Sequence, residues 1–132
     1  MDQLPVFFNV KDRCVAVVGG GIAAARKAEM AMRAGARIKV FAEQPCQEFD
    51  ELKADERFSI VSRGILAQDL VGCVLLYCAS ENVSQNREAR ALAGAAGIPC
   101  NVVDMPELCD FTMPSIVDRS PVVVAVSTAG TS

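Results

Sequence analysis

The chain has 132 residues, 52% of them hydrophobic and only 5% aromatic, with a formal net charge of −3. The length fits one domain, the composition supplies a core of Val, Leu, Ile and Ala and excludes a disordered chain, and the acidic balance argues against nucleic acid as the main partner. No apolar run reaches the roughly 20 residues of a membrane span and no basic leader opens the chain, so the expectation is a cytoplasmic protein with no membrane contact.

Six cysteines stand at 14, 46, 73, 78, 100 and 109, and there is no histidine. None forms a C-x-x-C pair and several lie inside apolar runs, where a free cysteine behaves as a small hydrophobe. Neither a disulfide framework nor a metal site is expected. The lack of histidine removes Ser-His-Asp triads and imidazole bases, leaving proton transfer to Asp, Glu, Lys, Cys or the single Tyr77.

In chain order, Leu4 to Phe8 is a short apolar lead-in, expected as an edge element over the sheet. A strand is predicted from Cys14 to Val18 and a helix from Ile22 to Arg33, stopped by Gly35. Between them lie Gly19, Gly20 and Gly21. Gly19-x-Gly21-x-x-Ala24 fits the dinucleotide fingerprint in its G-x-G-x-x-A form: one glycine for the turn, one for close approach to a pyrophosphate, and a small residue for helix–strand packing. The free N–H groups of the helix's first turn then face the phosphates. A plain Gly-rich turn is the competing reading, and the flanking strand and helix favour the fingerprint.

Strand two is predicted over Arg37–Phe41. Glu43 follows it, about 20 residues beyond the glycines, where an acid binds the adenosine ribose and disfavours a 2′-phosphate. This selects NAD, although a solvated loop carboxylate would read the same, and Arg37 and Lys39 keep NADP open. Cys46 to Glu56, with Phe49 and Leu52 at helical spacing, is expected as a short surface helix. Phe58–Val61 reads as strand three and Ala67–Leu70 as a helical turn. Cys73–Ala79 is continuously apolar, as a central parallel strand buried on both faces should be. Ala79 and Ser80 close it at the expected ligand crevice. Ser84 is the expected N-cap of a helix from Gln85 to Ala96, with Gly97 ending it. Strand five runs from Ile98 to Val103.

This alternation implies an α/β, Rossmann-like, doubly wound parallel sheet. Asp104 sits where strand five meets a Pro turn. A turn-forming Asp is common in such a place. Its position at the carboxyl end of a strand, in a chain without histidine, makes it the candidate for moving a proton. Val122 to Thr128 is a further apolar β run, followed by the turn 129–132, where a helix is expected to start. The chain reads as part of a longer protein.

Five blocks in order resemble the N-terminal module of siroheme synthase, the precorrin-2 dehydrogenase family: Leu4 to Phe7, the glycine loop with Ala25-Arg26-Lys27-Ala28, Ala34 to Arg37, Cys100 to Asp104, and Phe111 to Pro121. Val124 to Ser132 resembles that family's transition into a dimerisation region. The resemblance implies a dinucleotide-binding domain over 1–113 and the beginning of a dimerisation and substrate region over 114–132. It implies NAD-dependent oxidation of precorrin-2, a tetrapyrrole with eight carboxylates, to sirohydrochlorin, with Fe(II) insertion at the same site in bifunctional members. NAD would meet Gly19, Gly20, Gly21, Ile22, Ala23, Glu43, Gln44, Ala79 and Ser80. Asp104 would be the catalytic base, and Asn101 and Arg119 would contact substrate. No protein-held metal is implied, and the whole protein is expected to be a homodimer. The alternative from another class is an NAD(H)-sensing regulatory module, which has no reason to carry the Asn101 to Pro121 block.

Overall fold

The structure, a computed structural model, describes residues 1–128, so the turn expected at 129–132 lies outside the described residues. Five parallel strands form the main sheet: β1 (Cys14–Val18), β2 (Arg37–Phe41), β3 (Phe58–Val61), β4 (Cys73–Cys78) and β5 (Cys100–Val102). Their order is β3-β2-β1-β4-β5. The chain therefore leaves β1 toward one side of the sheet and later returns to its other side. That reversal opens a crevice between β1 and β4 at the carboxyl ends of the strands.

Period-two alternation splits β1 between two cores. Val15 and Val17 face α1 (Ile22–Arg33), where Ala24, Ala25, Ala28, Ala31 and Met32 are buried with Ile38, Val40 and Tyr77. Ala16 and Val18 face the opposite side, where Ala89 and Ala93 of α2 (Val83–Ala96) pack with Leu76, Cys78, Cys100 and Val102. Small alanines on both helices let them lie close to the sheet, which compensates for the shortage of aromatic volume.

The register aligns the carboxyl edge. Val61 pairs with Phe41, Phe41 with Val18, Val18 with Cys78, and Cys78 with Val102. Backbone bonds carry the ladder one residue further: Ala42 N to Val61 O at 3.1 Å, Gly19 N to Phe41 O at 3.0 Å, Ala79 N to Val18 O at 2.8 Å and Val103 N to Cys78 O at 3.0 Å.

Several expectations are corrected. Residues 4 to 8 form no strand and lie exposed, with Leu4, Val6 and Phe7 at least 70% accessible. The segment after Pro45 is not one helix but two 3-10 turns, Gln47–Phe49 and Leu52–Ala54. Phe49 is fully buried and stacks on Phe58 at 6.0 Å, so this stretch folds around an anchor and not along a helical face. The N-cap of α2 is Asn82, whose Oδ1 accepts from Gln85 N at 3.2 Å, while Ser84 lies inside the helix. Ser115–Arg119, read as a lead-in, is strand β6; it pairs antiparallel with β7 (Val122–Val126) in a separate hairpin. The six cysteines are free thiols, two pairs of them in contact: Cys14 with Cys73 at 3.2 Å and Cys78 with Cys100 at 3.4 Å.

Candidate functional site

The β1–α1 turn is shaped by backbone packing. A Cβ on Gly19, whose φ is +133°, would lie 2.5 Å from Ala79 O and 2.8 Å from Ser80 N. A Cβ on Gly20 would lie 2.7 Å from Gln44 O. Both glycines are thus required by the loops they touch. Gly21 differs: only Glu81 Oε1, at 3.5 Å, is near its missing Cβ, so the backbone there stays open to a ligand. Gly21 also caps α1 without any side-chain hydrogen bond, and no acidic residue stands in the first turn. An uncapped helix N-terminus behind a bare glycine is an anion site in the making, and its fit to a pyrophosphate follows from these two features.

The loop opposite is held rigidly. Buried Asn86 accepts from Ser80 N at 3.0 Å and donates back to Ser80 O at 2.9 Å. Ser80 Oγ donates to Gln85 Oε1 at 2.7 Å and accepts from Asn82 N at 3.0 Å. Asn86 therefore fixes the surface against which Gly19 is packed. The sequence reading gives Asn86 no role at the site; the signal that could have found it is a polar residue on the buried face of α2.

An open cleft of about 940 Å³ runs across these loops. Gly19, Gly20, Gly21, Glu43, Gln44 and Ser80 line it, all of them expected at a cofactor site. Ala79 is buried beneath it, while Ile22 and Ala23 lie exposed in the first turn of α1 outside its lining. The cleft also takes in residues the sequence did not single out: Arg63, Glu81, Asn82 and Gln85. Arg63 forks onto Asp69, with Nη1 to Oδ2 at 2.7 Å and Nη2 to Oδ1 at 3.0 Å, and stands over the Phe41 ring at 5.6 Å. That bidentate pair holds the Asp69 carboxyl below its ordinary range. Arg63 is the cation of the cleft, whereas Arg37 and Lys39 are outside its lining.

A second, smaller cavity of about 240 Å³ lies at the end of β5. Asp104 lines it together with Lys27, Asn101, Thr112 and Met113. Asp104 has φ of +61°, a left-handed conformation that Asp and Asn tolerate better than most residues. Its carboxylate is exposed and makes no hydrogen bond or ion pair among the described residues. Asn101 is buried and donates from Nδ2 to Phe111 O at 2.9 Å, tying β5 to the 111–113 segment. Tyr77 is buried edge-on to Phe111 at 5.6 Å, and its phenol is pushed up to about 12 by burial. Tyr77 is accordingly no proton-transfer group near neutral pH. Arg119 stands on β6, donating to Asp118 O at 3.1 Å, and lines neither cavity.

The glycine loop and Asp104 thus emerge from the same row of the sheet, β1 and β5 being separated by β4 alone. At about 4.8 Å per strand step this places the end of β5 about 10 Å from the glycine turn. A parallel α/β sheet with a glycine-loop cleft at its switch point is the architecture of a dinucleotide-binding domain. The family model described as "Putative NAD(P)-binding" matches residues 6–115, and the chain belongs to that NAD(P)-binding family. The siroheme synthase of Stutzerimonas stutzeri (strain A1501) is 45% identical over 130 residues, 98% of this chain and 28% of the relative. That of Nitrosomonas eutropha (strain DSM 101675 / C91 / Nm57) is 46% identical over 135 residues, covering 100% and 28%. The solved structure titled SirC, precorrin-2 dehydrogenase, superimposes with a TM-score of 0.79 at 24% identity, over 98% of this chain and 64% of that one. The resemblance to siroheme synthases therefore holds along the whole chain, while the chain spans 28% of the length of these curated relatives.

Proposed function

We propose that this chain is the dinucleotide-binding and catalytic part of an enzyme that oxidises precorrin-2 to sirohydrochlorin with NAD, in the making of siroheme. The observation that carries the reading is Asp104. It is an exposed carboxylate with no ion pair among the described residues, in a left-handed turn and in the same row of loops as the glycine cradle. The kinship with siroheme synthases supports it. Bound NAD supplies the hydride acceptor. Oxidation removes a hydride and a proton from the reduced ring, and Asp104 takes the proton and passes it to water. Asn101 and Arg119 are the substrate contacts in this reading. Asn101 lines the Asp104 cavity, whereas Arg119 would reach the ring from the hairpin. Insertion of Fe(II), as a second substrate, into the oxidised ring at the same site is the further step it allows.

Residues 1–113 form the dinucleotide-binding domain in this account, and 114–132 begin a dimerisation region. The hairpin supports that division, since it is a sheet of its own whose Val122, Val124 and Val126 are 48–61% exposed. Such an apolar face fits a second copy of the protein. Six free thiols fit a reducing cytoplasm, and no helix of the described residues is long and apolar enough to cross a membrane. A dinucleotide sensor without catalysis finds no support: the relatives similar along the whole chain are named as synthases.

The direct assay supplies the full-length protein with precorrin-2 and NAD. NADH and the sirohydrochlorin spectrum should grow together, and a folded, NAD-binding protein that yields neither would overturn the reading. Glu43 supports NAD over NADP, since it lines the cleft just beyond β2 where a 2′-phosphate would meet its charge. Glu43→Ala is expected to weaken NAD roughly three- to tenfold and to strengthen NADP, as an unfavourable charge is removed from a cleft that also carries Arg63. Titrating both dinucleotides into both proteins checks it, and an unchanged NAD/NADP ratio would remove Glu43 from cofactor selection.

A further inference from the structure

The buried stripe of α1 is spaced as Ala24, Ala28 and Ala31, and Lys27 falls within it, three residues after Ala24 and four before Ala31. A lysine on the apolar face of a helix is costly unless its charge finds water or an anion. Here the side chain is half-buried and the ammonium stands over the Tyr77 ring at 5.9 Å. Nζ makes no ion pair and no hydrogen bond among the described residues. It opens instead into the 240 Å³ cavity of Asp104, and it is the one basic side chain among the described residues that line it. Burial pushes the ammonium below its ordinary value, opposed by nearby Cys109. An anion arriving beside it would relieve that penalty.

We propose that Lys27 seats a ring-borne carboxylate of the substrate in the cavity beside Asp104. The proposal rests on the tetrapyrrole reading above and deepens it. An octa-anionic ligand must meet cations on a chain of net charge −3. Asn101, whose Nδ2 donates to Phe111 O, and Thr112, whose Oγ1 donates to Gln3 Oε1 at 3.2 Å, line the same cavity, so Lys27 is the side chain there that carries a positive charge. The Tyr77 ring, edge-on to Phe111, lies 5.9 Å from the ammonium and supplies a cation–π contact that holds it at this end of α1. Seating one acidic arm at Lys27 holds the ring edge next to the Asp104 carboxylate. In this way a substrate repelled by the overall charge is drawn to the one place where a proton must leave.

The test titrates uroporphyrin III, a stable tetrapyrrole with eight carboxylates, into the full-length wild type, Lys27→Met and Lys27→Arg, with NAD titrated into each. Methionine keeps the stem's packing and removes the charge; arginine keeps the charge. Lys27→Met is expected to bind uroporphyrin at least tenfold more weakly and with a shallower salt dependence. Lys27→Arg should recover most of the affinity, and NAD affinity should be unchanged in all three. With precorrin-2 the Met variant should raise KM by a similar factor and leave kcat nearly intact. Wild-type uroporphyrin affinity in Lys27→Met, no recovery in Lys27→Arg, or an equal loss of NAD affinity would each overturn the role of Lys27 while the oxidation assay still stands. A wild type that neither binds uroporphyrin nor oxidises precorrin-2 would overturn the tetrapyrrole reading and this proposal with it.

Discussion

Gly19→Ala should abolish useful dinucleotide binding and destabilise the domain. Its Cβ would come within 2.5 Å of Ala79 O and 2.6 Å of the Ala79 carbonyl carbon, neither of which is the end of a flexible side chain. The residue would also have to hold φ at +133°, a conformation that costs an L-amino acid about 1–3 kcal/mol. Relief requires β1 and the β4 loop to part, yet that loop is clamped by Asn86 through two bonds to Ser80. Strain and overlap together should cost roughly 2–4 kcal/mol of stability, a fall in Tm on the order of 10 °C. The parted loops would no longer present Gly21 and the α1 terminus to a pyrophosphate, so NAD affinity should drop about 100-fold or more. Thermal melts and NAD titration check both parts. Gly64→Ala is the control for stability, because nothing lies within 4 Å of its missing Cβ and its φ is ordinary. Wild-type NAD affinity in Gly19→Ala would show that the packing of β1 on β4 does not shape the cofactor site.

The second large effect is expected at Asp104 and falls on turnover alone. Asparagine is the informative substitution. It keeps the volume and tolerates the left-handed φ of +61°, so the turn after β5 should survive, but it cannot accept a proton at neutral pH. Loss of a positioned base typically costs 10²–10⁴ in rate. Asp104→Asn should therefore lower kcat for precorrin-2 oxidation by about that factor, with NAD affinity and Tm unchanged. Asp104→Ala adds a backbone penalty of about 1 kcal/mol, and a comparison of the two separates chemistry from turn geometry. Full turnover in Asp104→Asn would assign the proton to another group or to water.

The elements that could be read along the chain are those whose residues carry their own conformational instructions. β1 and β4 are unbroken apolar runs; the glycines break β1 before an alanine-rich helix, and Gly97, at φ +71°, ends α2 where a left-handed residue is needed. The misreadings share a cause. Phe49 and Leu52 have helical spacing, but so short a segment cannot meet the cost of helix nucleation, and it settles into turns around one buried ring. Ser84 and Asn82 are both good caps, and the choice between them was made by Ser80, whose hydroxyl accepts from Asn82 N. β6 carries Asp118 and Arg119 with Pro114 before it and exposes most of its side chains, so no alternation marks it; pairing with β7 makes it a strand.

The sequence by itself determined a strand, three glycines and a helix at residues 14 to 33, because backbone preferences over adjacent residues are local. It also determined Asp104 as a proton-transfer candidate, by the absence of histidine. Only the tertiary structure decided what surrounds that carboxylate. Lys27 and Asp104 are far apart in the chain, and no spacing rule links them; the strand order β1-β4-β5 and the packing of α1 over Tyr77 bring both to one cavity. Non-local packing also brings Arg63 and Glu43 into the lining of one cleft, whereas Arg119 stays on a local hairpin. Local chemistry writes the glycine cradle, whereas the residues that share a cavity with Asp104 are set by which faces of the sheet the helices cover.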